Sequence, residues 1–196
     1  GKEKSFDVVL KAVAELAREE DVFLVHIGEG PELPHLKALA KELGVADRVL
    51  FLGPVPYRRI GGYYRLAGLF LFASETEARG LVIWEAQAMG VPVVAVGAEG
   101  VLEGVEDGKT GFLVPPGDFR ALAEKALELL KDEERRRRFS LQARAFALKR
   151  SAETIAEQIV AVYDEASEIL RVEPRRLIFP FPRLPRSSLE DRPGGF

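Results

Sequence analysis

Residues 74–95 read SETEARGLVIWEAQAMGVPVVA, and the order of residue types in this stretch decides the fold. A polar loop holding Glu75 and Glu77 runs into Gly80. A helical run bearing Glu85 follows, Gly90 ends it, and the apolar strand Pro92–Ala95 takes over. A helix start set between strands offers unpaired backbone N–H groups and the positive end of a dipole, which suit an anionic ligand. Glu77 and Glu85 are then available to hold the hydroxyls of whatever carries that anion.

Outward from this stretch the pattern repeats. Residues 5–19 read as an amphipathic helix with Phe6, Val9, Leu10, Val13, Leu16 and Ala17 on one face. Val22–Ile27 reads as a buried strand closed by Gly28-Glu29-Gly30-Pro31, and residues 32–43 as a helix capped by Gly44. Arg48–Leu52 is a second strand, residues 57–66 a helix interrupted by Gly61-Gly62, and Leu69–Ala73 a third strand. Pro92–Val96 and Gly111–Val114 complete the strands, and Asp118 is the N-cap of a helix reaching Leu130. Apolar strands alternating with amphipathic helices predict an α/β fold, a Rossmann-like parallel sheet flanked by helices. Ligands of such sheets bind beyond the carboxyl ends of the strands. Those ends carry Gly28-Glu29-Gly30, Gly53-Pro54-Val55, Ser74–Gly80 and Gly97–Gly100.

Residues 133–170 read as C-terminal helices with a break near Lys149–Ser151. From residue 171 on, Pro174, Pro180, Pro182, Pro185 and Pro193 forbid a continuous helix and predict an extended tail. The six arginines of that tail, interleaved with Leu177, Ile178, Phe179 and Phe181, suit docking onto a neighbouring domain. The expected organisation is a ligand-binding domain over 1–170 and a Pro/Arg-rich tail over 171–196. An α/β unit that opens on a helix reads as a fragment lacking its first strand.

Composition excludes several classes. The 196 residues suffice for a full core, and 47% hydrophobic with 30% charged residues describe an ordered domain. A net charge of −3 lacks the basic field of a general nucleic-acid binder. Zero cysteines exclude disulfides and thiolate chemistry, and His26 and His35 are too few for a histidine-rich metal centre. No apolar run approaches the ~20 residues that span a bilayer, and GKEKSFD at the start does not read as a signal peptide. A cytoplasmic protein is expected.

The motifs, taken in order, resemble the C-terminal, donor-binding half of the GT-B glycosyltransferases, specifically the retaining family 4. The most specific elements are Glu77 and Glu85 with seven residues between them, then GVPVVA at 90–95 and EGVEDGKTGFLVPPGD at 103–118. EKSFDVVLKAVAEL near the start, VHIGEGPE at 25–32 and RVLFLGPV at 48–55 support it. A nucleotide-sugar has the two parts the residues call for: a diphosphate for amides, and hydroxyls for carboxylates. The resemblance implies that Lys4 pairs with the donor diphosphate and that Glu77 bonds the hydroxyls of the transferred sugar. It implies that the Gly80, Leu81 and Val82 amides receive the phosphates and that Glu85 binds the ribose. Gly53 and Val55 fall in the segment beside the base. The family's arginine a few residues before the lysine has no counterpart here, and its aspartate before the third strand is Gly68. The loop TEARGLV (76–82) looks like the TETQGLV-type loop of diacylglycerol glucosyltransferases, which points to a glycolipid product.

The expected chemistry is sugar transfer from a UDP- or GDP-linked donor, such as UDP-glucose, to a glycan or glycolipid acceptor, with retention of configuration. Negative charge growing on the leaving phosphate is stabilised by the helix start, Lys4 and the arginine that the family carries before it, and on this reading no metal or other cofactor is required. The resemblance places the acceptor site in a missing N-terminal GT-B domain, so the fragment is expected to be inactive by itself. Peripheral membrane contact belongs, on this reading, to the full-length protein. Glu75 reads as a solvated loop charge, His26 as a satisfied core histidine, and Trp84 and Met89 as core packing. Glu103 and Glu106 read as one face of a short helix without a role. Arg135–Arg138 after Asp132-Glu133-Glu134 reads as an intrahelical charge network. The alternative function is a non-catalytic nucleotide-binding or scaffold module on the same fold.

Overall fold

The computed structural model describes residues 4–78, 80–150, 154 and 159–162. The chain separates into two compact units, Gly1–Ser151 and Ala152–Phe196. The first holds α1 (Phe6–Leu16), β1 (Leu24–Ile27), α2 (Leu33–Glu42), β2 (Val49–Gly53), α3 (Tyr57–Leu66), β3 (Phe70–Phe72) and α4 (Leu81–Ala88). It continues with β4 (Val93–Val96), α5 (Glu99–Leu102), β5 (Gly111–Val114), α6 (Phe119–Lys131) and α7 (Glu133–Leu148). In the second unit Thr154 and residues 159–162 are helical, and Ile159, Val160 and Val162 are exposed. The expected tail, and most of the helix expected over 151–170, lie outside the described residues.

Every strand pair is parallel, as the alternation predicts. The strands form two sheets rather than one, β1-β2 and β3-β4-β5. β4 is central in the larger sheet and all four of its residues are buried. Its side chains alternate with the period of two that a strand imposes. Val94 and Val96 enter a cluster with Val9 and Val13 of α1 and Leu122 and Leu129 of α6. Val93 and Ala95 face the other way, into a cluster with Ile83 and Ala86 of α4. Helices therefore cover both faces of this sheet. α1 also serves the smaller sheet: its Leu10, fully buried, packs with Leu36, Ala40, Val45 and Val49. Burying a leucine of this kind is worth about 1.5–3 kcal/mol, so α1 joins the two halves of the core.

Helix ends follow the sequence signals. Gly44 and Gly90 have left-handed φ of 71° and 79°. Each closes its helix with a pair of bonds, Gly44 N–H to Lys41 and Val45 N–H to Ala40, then Gly90 N–H to Gln87 and Val91 N–H to Ala86. This is the Schellman arrangement, which satisfies carbonyls the helix leaves open. Asp118 accepts from the Ala121 N–H at 2.9 Å and starts α6 as expected. α3 runs unbroken through Gly61-Gly62. Two interior glycines cost about 1 kcal/mol each, and α3 lies against α4 close enough that a Cβ on Gly61 would sit 3.7 Å from the Met89 sulfur. Met89 itself is more exposed than a core residue, at 37%.

The arginine run of α7 differs from expectation. Arg135 pairs with Glu128 of α6 and lies over the Phe112 and Phe139 rings at 5.2 and 5.5 Å. The Arg136 guanidinium donates to the Leu129 and Leu130 carbonyls, at 3.2 and 2.9 Å, where α6 ends. The recorded network is interhelical, because the tight turn at Asp132 folds α7 back on α6 and puts cations beside the open carbonyls of its last turn. A hydrogen bond from Lys125, with help from the Arg135 charge, holds the Glu128 carboxyl below the usual range.

Candidate functional site

The loop after β3 and the start of α4 form the centre of the site. Gly80 is the N-cap of α4, with φ 54° and ψ 40°, and no side chain caps the helix. Its carbonyl accepts the Ile83 N–H at 2.8 Å. The Gly80, Leu81 and Val82 N–H groups take no hydrogen-bond partner among the described residues. Leu81 and Val82 are exposed, at 63% and 36%, whereas Gly80 is buried. Glycine at position 80 answers two needs. L side chains avoid its φ, and a Cβ there would meet Ile83 Cδ1 at 3.2 Å and the Gly100 carbonyl at 3.3 Å. The approach from the other side is tighter, since a Cβ on Gly100 would overlap the Glu77 carbonyl. The first turn of α5 is thereby seated against the Glu77–Ala78 backbone and holds the loop.

Lys4 and Glu77 come together over 73 residues: Lys4 Nζ donates to Glu77 Oε2 at 2.7 Å. Glu77 Cγ lies 3.7 Å from where a Gly80 Cβ would stand, so the pair borders the start of α4. The Lys4 side chain is 51% exposed, and an exposed ion pair of this kind contributes only ~0–1 kcal/mol. An entering dianion can therefore take the lysine from Glu77 at little cost. Ser5, next to Lys4, has φ 46° and is the one described non-glycine residue with positive φ. It directs the chain from Lys4 into α1.

Glu85 follows Leu81 by one turn, about 6 Å along the axis. Its two oxygens face two tyrosines of α3: Tyr57 donates to Oε1 at 3.3 Å and Tyr64 to Oε2 at 3.4 Å. Burial first, and then the Glu85 charge, push the Tyr64 phenol far above its usual range, so Tyr64 stays a donor. Sequence reasoning missed both tyrosines. Their spacing of seven puts them on one helix face, but only the seat of α3 on α4 brings that face to Glu85. Gly53 has φ 72°, and its carbonyl accepts the Gly28 N–H at 2.8 Å, tying the loops after β1 and β2 together. Val55 lies between Pro54 and Pro56, so its N–H is the single main-chain donor of that triplet.

Other residues take up structural positions. Trp84 stacks on Phe146 at 5.2 Å beneath Arg150, which is packing. His26 is not the satisfied histidine expected: its buried Nδ1 has no well-aligned partner among the described residues. Phe6 and Phe51 flank the ring at 4.4 and 5.5 Å. Burial lowers its pKa, outweighing a contact with its own backbone that acts the other way. Glu103 caps the C-terminus of α5, but Glu106 sits in a turn and its N–H bonds Thr110 Oγ1, so the two share no helix face. No group of three or more His, Asp or Glu among the described residues is placed to hold a metal ion. No described helix is long and apolar enough to cross a membrane.

Comparison with known proteins bears directly on this arrangement. The family model for glycosyl transferases group 1 matches residues 1–146. N-acetyl-alpha-D-glucosaminyl L-malate synthase of Bacillus anthracis is 36% identical over 163 residues, covering 83% of this chain and 42% of the synthase. The chain thus spans less than half the length of that relative. Among solved structures, Anabaena HepE in complex with UDP and glucose superposes with a TM-score of 0.74 at 30% identity, over 84% of this chain and 46% of HepE. The C-terminal domain of the group 1 protein LpcC from Francisella tularensis matches with a TM-score of 0.70 at 26% identity, over 76% of this chain and 80% of that domain. A family match across well over half of the sequence, on a fold shared with solved members, places this chain among the glycosyl transferases group 1.

Proposed function

We propose that this chain is the donor-binding, C-terminal half of a retaining GT-B glycosyltransferase of family 4, and that it binds a nucleoside-diphosphate sugar at the start of α4. The observation that carries the reading is the set of amides at Gly80–Val82, which take no hydrogen-bond partner among the described residues, beside the Lys4–Glu77 pair. Those donors and the lysine suit a diphosphate. Glu77, released by Lys4, turns to the hydroxyls of the transferred sugar, and Glu85 takes the ribose. Val55 offers its N–H to the base edge. HepE was solved with UDP and glucose, which agrees with a UDP-linked donor.

In the proposed reaction the bond between the anomeric carbon and the phosphate oxygen breaks, and its electron pair stays on the phosphate. The acceptor hydroxyl bonds the same face of the sugar, and its proton passes to the departing phosphate oxygen. The helix start and Lys4 stabilise charge that grows in the transition state, which accelerates the step and does more than tighten binding. This positive potential is proposed to suffice without a metal. The glycan or glycolipid acceptor, and any membrane contact, fall to the N-terminal half.

Calorimetric titration of the chain with UDP, GDP and ADP tests the reading. Diphosphate-dependent binding that Glu85→Ala weakens by about tenfold, the worth of one hydrogen bond to a charged group, is the expected result. No response to any of the three nucleotides would return the chain to the scaffold alternative.

A further inference from the structure

We propose that Tyr64 and Tyr57 are positioning residues that set the Glu85 carboxylate to grip the vicinal diol of a ribonucleoside diphosphate, Tyr64 as a fixed anchor and Tyr57 as a partner that yields. The inference rests on the donor-binding reading and deepens it. Each tyrosine addresses a different oxygen, Tyr57 at Oε1 and Tyr64 at Oε2. An ionised carboxylate has about four lone-pair sites, so this arrangement leaves roughly one open site on each oxygen. Two adjacent ribose hydroxyls donate one hydrogen bond to each. The terminal torsion of a glutamate is broad, and without the phenols the carboxylate plane would drift from that match.

The two tyrosines differ in what holds them. Tyr64 is half-buried, its ring meets Phe70 edge-on at 5.7 Å, and its hydroxyl also reaches the Val82 carbonyl at 3.4 Å. Tyr57 is the first residue of α3, directly after the Pro54-Val55-Pro56 loop, and is 74% exposed. Both contacts to Glu85 are longer than the ~2.7 Å optimum of an O–H···O bond. They orient the carboxylate without consuming it, and Tyr57 is free to swing aside. Packing of α3 on α4 does not explain them, because phenylalanine would pack equally well.

The test is calorimetric titration of the 196-residue chain with UDP and GDP, with their 2′-deoxy forms, and with inorganic pyrophosphate. The ribose form is expected to bind about tenfold tighter than its 2′-deoxy counterpart. Tyr64→Phe is expected to cut that ratio by about threefold or more, and Tyr57→Phe by less, with pyrophosphate affinity unchanged. Circular dichroism checks folding, and the exposed Tyr57→Phe carries the test if Tyr64→Phe is unstable. Wild-type ratios in both variants, with the ratio abolished in Glu85→Ala, would overturn the inference and leave donor binding standing. A parallel loss of pyrophosphate affinity would assign the tyrosines a structural role and overturn it too. Binding of neither diphosphate by the wild type overturns both readings.

Discussion

Gly100 and Gly62 make a controlled pair. Both are helical glycines, and each would acquire only a methyl group on mutation to alanine. At Gly62 nothing lies within 4 Å of the new Cβ, so Gly62→Ala is expected to stabilise the chain by up to about 1 kcal/mol through helix propensity. At Gly100 the Cβ would overlap the Glu77 carbonyl, and a backbone group cannot rotate away as a side chain can. Gly100→Ala is therefore expected to cost about 1–3 kcal/mol and to displace the loop that carries Glu77. Thermal unfolding reads the first effect, and loss of nucleotide binding reads the second. His26 sets a pH dependence. Its folded pKa is lowered, so the unfolded chain takes up the proton first as pH falls below about 6.5. Stability present above that value is lost as pH drops through the folded pKa. The melting temperature should fall between pH 7 and 5, and His26→Gln should flatten the slope. The placement of Glu77, Gly80 and Glu85 around the start of α4 was legible in the sequence because a loop, a glycine and a helix start are local features. The Lys4–Glu77 pair was not, since nothing local joins residues so far apart; the resemblance marked the two separately.

Among the elements, the glycines that end α2 and α4 test how much of helix termination is backbone conformation. Gly44 and Gly90 share a left-handed φ and the same pair of closing bonds. A Cβ at Gly44 would meet nothing within 4 Å, whereas one at Gly90 would approach Ser140 Oγ at 3.1 Å. Gly44→Ala should thus cost only the conformational term, about 1 kcal/mol, and Gly90→Ala should cost more because α7 must also give way. Equal losses in denaturant unfolding would show that the α4–α7 contact adapts freely. These two helix ends were readable because glycine after an amphipathic run has one common use. The unbroken course of α3 was not readable, since its glycines argue against a helix and only its seat on α4 opposes them. Arg135 and Arg136 were misassigned for a similar reason. Spacing along one helix predicts partners within it, and the turn at Asp132 supplied closer ones on α6.

In the whole first unit, alternation of strands and helices predicted a parallel sheet, and the strands are parallel. Hydrophobic runs carry no information on which strand lies beside which, so the division into β1-β2 and β3-β4-β5 was not legible. That division makes stability uneven. β4 is paired on both edges and wholly buried, while among the described residues β1 has a partner on one edge only. Amide exchange should be slowest in β4 and faster in β1 and β2, because opening the smaller sheet exposes less apolar surface. α1 links the halves through different residues, Val9 and Val13 toward the larger core and Leu10 toward the smaller. Leu10→Ala removes a fully buried side chain, at a cost of about 2–5 kcal/mol. If the halves open separately, its effect should concentrate in α2, β1 and β2, raising exchange there many-fold while β4 and the start of α4 keep their protection. Nucleotide binding at Gly80–Val82 should then survive in Leu10→Ala, although the base-side loop at Gly53–Val55 loosens and lowers affinity. Uniform acceleration of exchange across both sheets would show that α1 makes them one cooperative body, and the separate-opening argument would fail.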